Sequence, residues 1–126
     1  MAKFKVLLVD DEVELLDTLI ERLELRDIEA TGVASGAEAL ERVREGGYDV
    51  AVLDVKLPGE DGVSVMKQLK EIEPQLPVLL LTGHMSKETS DAGLKAGAID
   101  YVIKPIQIDD LIEKLEAAIA TYADRG

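Results

Sequence analysis

Five polar residues in this chain each follow an apolar run. Asp10 and Asp11 follow Val6-Leu7-Leu8-Val9, Asp54 follows Val50-Ala51-Val52-Leu53, Thr82 follows Val78-Leu79-Leu80-Leu81, and Lys104 follows Tyr101-Val102-Ile103. A carboxylate at the end of a buried strand delivers charge to the rim of a sheet, where a cation or a phosphoryl group can meet it. Three carboxylates gathered there repel one another unless something positive binds between them. Carboxylates with a few waters suit Mg²⁺, a hard cation with octahedral oxygen coordination. Asp54 in such a setting can attack phosphorus to give an aspartyl phosphate. Lys104 and Mg²⁺ can neutralise the charge on the phosphoryl oxygens in flight.

The surrounding pattern supplies the elements that would hold these groups. Phe4 to Val9 is a strand by its apolar run, and Leu15, Leu16, Leu19, Ile20 and Leu23 mark one face of a helix. A weaker strand falls around Glu29 to Ala34. Ser35 followed by Glu38 reads as a capping box opening a helix through Ala39, Leu40 and Val43, stopped at Gly46-Gly47. After the strand ending at Asp54 come a Pro58-Gly59 turn and a helix through Val63, Met66 and Leu69. Pro77 introduces the strand Val78 to Leu81. Ser86 is placed to cap a helix to Ala96, with Gly97 as its stop and Ala92, Leu94 and Ala96 as modest apolar anchors around Gly93. Tyr101 to Ile103 is the last strand, and Leu111, Ile112, Leu115 and Ile119 mark the last helix. Continuous apolar strands separated by helices predict an α/β fold, a parallel sheet covered on both faces. In such sheets ligands sit beyond the carboxyl ends of the strands at a topological switch point, where all five polar groups fall.

Bulk properties narrow the function. The chain has 126 residues, which predicts one domain over 1–126 that buries roughly two-thirds of its unfolded surface. A net charge of −12 argues against direct binding to nucleic acid or to an anionic membrane surface. No cysteine is present, which excludes disulfides and thiolate metal sites. The N-terminal Met1-Ala2-Lys3-Phe4-Lys5 resembles neither a signal peptide nor a membrane span, and a cytoplasmic location is the expectation.

Taken in order, Val9-Asp10-Asp11, Leu53-Asp54 with Pro58-Gly59 and Asp61-Gly62, Leu81-Thr82-Gly83, and Asp100-Tyr101-Val102-Ile103-Lys104-Pro105 resemble the receiver domain of bacterial two-component response regulators. The likeness covers nearly the whole chain. It implies a doubly wound, flavodoxin-like (CheY-like) five-stranded sheet of order 2-1-3-4-5 flanked by five helices. It implies that Asp54 accepts a phosphoryl group from a phosphohistidine on a sensor histidine kinase or histidine phosphotransfer protein. Asp11, Asp54 and the backbone carbonyl of Lys56 would hold Mg²⁺, with Asp10 reaching it mainly through water. Lys104 would assist the transfer from a segment whose bond to Pro105 is typically cis in this family. Thr82 and Tyr101 match the family's paired switch positions, acting on a partner surface or on a second copy in a phosphorylation-dependent homodimer. The expectation is a signalling phosphoacceptor, not a turnover enzyme, one that assists its own phosphorylation and dephosphorylation.

Plainer roles compete for some of these residues. Asp11 also fits a helix cap, a role compatible with metal binding. Tyr101 fits a half-buried core aromatic as well as a switch. His84, the one histidine, reads as a loop residue at the rim. Glu21, Glu41 and Glu113 read as solvated helix faces. Two rival chemistries fit poorly. A flavodoxin-like FMN binder needs a Ser-, Thr- and Gly-rich phosphate loop, and the Asp10-Asp11-Glu12-Val13-Glu14 segment would repel a phosphate lacking a metal. A haloacid-dehalogenase-type phosphatase carries a second Asp two residues after its nucleophile, where this chain has Lys56. Output stays open between a stand-alone receiver and the front of a longer regulator.

Overall fold

The computed structural model describes residues 3–83 and 87–125, the backbone alone at 87–90 and 123–125. The order of elements is β1 (Lys5–Val9), α1 (Val13–Glu24), β2 (Glu29–Val33), α2 (Gly36–Glu45), β3 (Val50–Asp54), β4 (Lys56–Leu57), β5 (Glu60–Asp61), α3 (Gly62–Ile72), β6 (Val78–Thr82), α4 (Lys87–Ala96), β7 (Asp100–Ile103) and α5 (Ile108–Arg125). Five strands form one sheet in the order β2-β1-β3-β6-β7, every neighbouring pair parallel. This is the expected 2-1-3-4-5 order once the β4–β5 ribbon, a separate antiparallel pair, is set aside. That ribbon occupies the place read from sequence as a turn.

Side-chain alternation along the strands splits the core in two, because successive residues point to opposite faces. Leu7, Val9, Ala51, Leu53 and Leu80 pack with Ala39 and Val43 of α2 and Val65, Met66 and Leu69 of α3. Val6, Leu8, Val50, Val52, Leu79 and Leu81 pack with Leu16, Leu19 and Leu23 of α1 and Leu111 and Leu115 of α5. Each Val, Leu or Met among them contributes about 1.5–3 kcal/mol on full burial, so the sheet is held from both sides.

Several local expectations are met and some are corrected. Ser35 accepts a hydrogen bond from the Glu38 amide at 3.2 Å, and α2 ends at Gly46, whose φ of 82° suits glycine. The α1 N-cap position is Glu12, with no side-chain cap bond, so Asp11 does not cap that helix. The proposed Ser86 cap and His84 lie outside the described residues. Of the three apolar anchors expected on α4, Ala92 and Leu94 are exposed, and Ala96 packs against the core. Glu21, Glu41 and Glu113 are exposed as expected. Among the described residues no helix is long and apolar enough to cross a membrane.

The chain leaves β1 for β2 on one side and returns with β3 on the other. The switch point therefore lies at the carboxyl ends of β1 and β3. Val9 pairs in register with Leu53, so Asp10 and Asp54 emerge side by side.

Candidate functional site

Asp54 is the last residue of the central strand and is 5% exposed. One carboxylate oxygen, Oδ1, accepts a hydrogen bond from the Lys56 amide at 2.9 Å. The other, Oδ2, lies 3.3 Å from Lys104 Nζ. Asp10, 1% exposed, accepts from the Glu12 amide through Oδ1 at 2.9 Å. Its Oδ2 is buried without a hydrogen-bond partner and forms an ion pair with Lys104 Nζ, 3.2 Å away. Glu12 Oε1 completes the set, accepting from Lys104 Nζ at 2.7 Å.

Charges shift in the expected directions for such a cluster. Burial pushes the Asp10 carboxyl above the usual aspartate value and the Asp54 charge adds to this, while the Glu12 amide and Lys104 oppose it. Burial alone would lower Lys104, but Glu12, Asp10 and Asp54 outweigh it and raise the ammonium above its ordinary value. Lys104 is therefore a fixed positive charge at any physiological pH.

One ammonium among three carboxylates leaves the cluster short of positive charge. Oxygens of Asp10, Glu12 and Asp54 all lie within 4.8 Å of one another, and Asp10 Oδ2 is buried and lacks a donor. An all-oxygen donor set with an orphaned buried oxygen fits a hard divalent cation such as Mg²⁺.

The sequence-derived residues gather unequally. Asp10, Asp54 and Lys104 meet directly. Asp11 is exposed and stands outside the carboxylate group, whose third member is Glu12. Lys56 exposes its side chain and turns its amide to Asp54. The Lys104-Pro105 bond is cis, and Lys104 N donates to Thr82 O at 2.9 Å, joining the ends of β6 and β7. Thr82 is buried at the end of β6, and β6 lies next to β3.

Tyr101 is 5% exposed and lies inward. A Cβ added at Gly93 would stand 2.0 Å from its hydroxyl oxygen and 2.6 Å from Leu80 Cδ1. The glycine in α4 thus leaves a notch that the tyrosine ring fills. On the other side of β7, Lys114 of α5 donates to the Tyr101 carbonyl.

Sequence reasoning missed Glu12 and the ribbon. Glu12 lies two residues after Asp10, so extended backbone returns it to the same side; that spacing was the available signal. Gly62 is also forced: a Cβ there would stand 2.5 Å from the Asp54 carbonyl oxygen and 2.7 Å from Val55 Cα. Only glycine lets α3 start directly against the acceptor strand.

Comparison with known proteins agrees with this fold. The family model described as the response regulator receiver domain matches residues 6–116. The transcriptional regulatory protein ZraR of Salmonella typhimurium is 38% identical over 124 residues, 98% of this chain and 28% of that protein. The uncharacterized transcriptional regulatory protein YkoG of Bacillus subtilis is 39% identical over 119 residues, 94% of this chain and 52% of that protein. This chain therefore spans about half or less of those two relatives. Among solved structures, a CheY-like receiver domain protein from Methanospirillum hungatei gives a TM-score of 0.91 at 29% identity, covering 98% of both chains. The Francisella response regulator 1452 receiver domain gives 0.86 at 34% identity, covering 94% of this chain and 98% of that one.

Proposed function

Because the chain belongs to the response regulator receiver family, we propose that Asp54 is its phosphoacceptor, served by a phosphohistidine of a sensor histidine kinase or histidine phosphotransfer protein. The observation that carries this reading is the hold on Asp54: a buried carboxylate at the central strand end with one oxygen on the Lys56 amide and the other beside Lys104. In the transfer, an Asp54 oxygen forms a bond to phosphorus as the bond from phosphorus to the donor imidazole nitrogen breaks. The electron pair of that bond returns to the imidazole. The Lys56 amide orients the carboxylate, and Lys104 places a positive charge beside the phosphoryl oxygens.

Asp10, Asp11, Asp54 and the Lys56 carbonyl are the groups we assign to Mg²⁺, with Glu12 as a further carboxylate within reach. When bound, the ion neutralises charge on the phosphoryl oxygens as it spreads in the transition state. Without a partner enzyme the same groups serve small phosphodonors and hydrolysis of the product, so the domain assists its own phosphorylation and dephosphorylation.

The aspartyl phosphate then acts on Thr82. Its hydroxyl gains a charged acceptor, which draws β6 and the start of α4 toward the site. Tyr101 already fills the Gly93 notch, so the phosphoryl group acts by fixing that inward arrangement and the α4–β7–α5 surface around it. Leu94 and Ile103, each about half exposed, lie on that surface, which we assign to an output partner or to a second copy in a phosphorylation-dependent homodimer. A cytoplasmic location and a single receiver unit over 1–126 complete the reading.

Incubation with phosphoramidate and Mg²⁺ tests it. One phosphoryl group should be added by intact mass, labile to base and hydroxylamine, and Asp54→Asn should lose it. Equal labelling of Asp54→Asn would overturn the assignment.

A further inference from the structure

Glu60 stands outside the acid cluster, yet it joins the loop that follows Asp54 to the start of α2. Its Oε1 accepts a hydrogen bond from the Gly36 amide at 3.1 Å, across 24 residues of sequence. That amide is among the first of α2, which have no partner within the helix, and Ser35 serves the Glu38 amide. A carboxylate there also meets the positive end of the helix dipole. The contact depends on Gly36: an added Cβ would stand 2.0 Å from Glu60 Oε2 and 2.7 Å from Val65 Cγ2.

The loop is pinned at most of its other points. Val55 N donates to Leu81 O at 2.9 Å, and Gly62 N donates to Val55 O at 3.0 Å. Leu57 is buried in the core on the α2–α3 side. Within the ribbon Lys56 pairs with Asp61 and Leu57 with Glu60, and Glu60 is the ribbon residue with a side-chain hydrogen bond to α2. Releasing Glu60 removes that tie and loosens the strand opposite Lys56, the residue whose amide orients Asp54.

We propose that Glu60, seated on Gly36, is a positioning residue for the metal and phosphoryl site, holding the ribbon so that Lys56 presents its backbone correctly. This rests on the assignment of Asp54 and Lys56 given above. It also ties the N-terminus of α2 to the acceptor site, a link that the Thr82–Tyr101 route does not include.

The test is Mg²⁺ titration of the isotope-labelled full chain, followed through its amide signals and repeated on three variants. Glu60→Ala should raise the Mg²⁺ dissociation constant about tenfold, the lower end for a lost outer-shell partner. In the metal-free protein it should shift the Gly36 and Lys56 amides together. Gly36→Ala should do the same with Glu60 intact, because the new methyl displaces the carboxylate. Glu60→Gln keeps an acceptor oxygen and should restore most of the affinity, which separates positioning from a general loss of fold. If wild type binds Mg²⁺ and both alanine variants bind it equally well, this inference alone is overturned. If wild type binds no Mg²⁺, the inference falls together with the reading beneath it.

Discussion

The loop and helix after Asp54 and the helix and strand around Tyr101 occupy the same rim but are built to different standards. α3 is capped by Asp61, whose carboxylate accepts from the Val63 amide at 3.1 Å, and it buries Val65, Met66 and Leu69 against the sheet. The described side chains of α4, residues 91–96, bury Gly93 and leave Ala92 and Leu94 exposed. A helix with a glycine in its interior gives up about 1 kcal/mol relative to alanine, and small side chains bury little area. Elements that shift in signalling come from such weakly held parts of a fold. Under the proposed function this difference is a division of labour: the groups assigned to meet phosphorus are pinned, and the surface assigned to report the event is held more loosely, with Tyr101 seated in the Gly93 notch.

Breaking the pinned half should give the largest effects. Lys104→Met removes the fixed positive charge beside Asp54 Oδ2, and labelling by phosphoramidate should slow by about 10²–10³, the usual cost of losing a preorganised charge-stabilising group. Quench-and-weigh time courses measure this, and an unchanged rate would remove Lys104 from the chemistry. Next in size is the metal. A ligand that binds the native state alone stabilises it by about 2.7 kcal/mol at a hundredfold excess over its Kd. Melting temperature should therefore rise in millimolar Mg²⁺ at low ionic strength, and Asp11→Ala should remove most of the rise. Because Asp11 is exposed and outside the carboxylate group, a full rise in Asp11→Ala would transfer its role to Glu12.

The loosely held half gives smaller effects. Gly93→Ala improves helix propensity, yet its methyl collides with the Tyr101 hydroxyl. Overpacking costs about 1–3 kcal/mol, so the variant should melt below wild type, and adding Tyr101→Ala, which removes the clashing ring, should cost less in that background than in wild type. A Gly93→Ala protein more stable than wild type would contradict the notch.

The smallest expected effect concerns pH. The Asp10 carboxyl is raised by burial and by Asp54, so the folded state holds its proton more tightly than the unfolded chain. Its contribution is fully present below the unfolded value near 3.8 and is lost as pH rises through the raised one. Asp10→Asn, which stays neutral, should therefore match wild type in strong acid and gain on it as pH rises toward neutrality, in chelator and without metal. Lys104 has the same sign at the other end. Its contribution holds below 10.5 and is lost only as pH climbs beyond that toward its raised value.

Much of the pinned half was legible because buried parallel strands read as unbroken apolar runs, and the residues closing them are the site. Asp10, Asp54, Thr82 and Lys104 were found that way. The pair Asp10-Asp11 could not be resolved from types alone: neighbours in extended backbone face opposite ways, and the structure buries Asp10 while it exposes Asp11. The β4–β5 ribbon was hidden because two-residue strands carry no periodicity. Glu60 and Gly36 meet across the fold, which nothing local announces. On α4 the sequence showed a weak helix but misjudged two of its three anchors: Ala92 and Leu94 are exposed, while Ala96 packs against the core as expected, and beside it the buried residue is the glycine that admits Tyr101.

The link between the two halves is the central claim, and one spectrum tests it. Beryllofluoride with Mg²⁺, a stable stand-in for the phosphoryl group, should shift amide signals from Thr82 to Tyr101 far more than those within α2 beyond its first turn. Thr82→Ala should bind the mimic and blunt those shifts. A wild-type spectrum that changes only beside Asp54 would contradict the account.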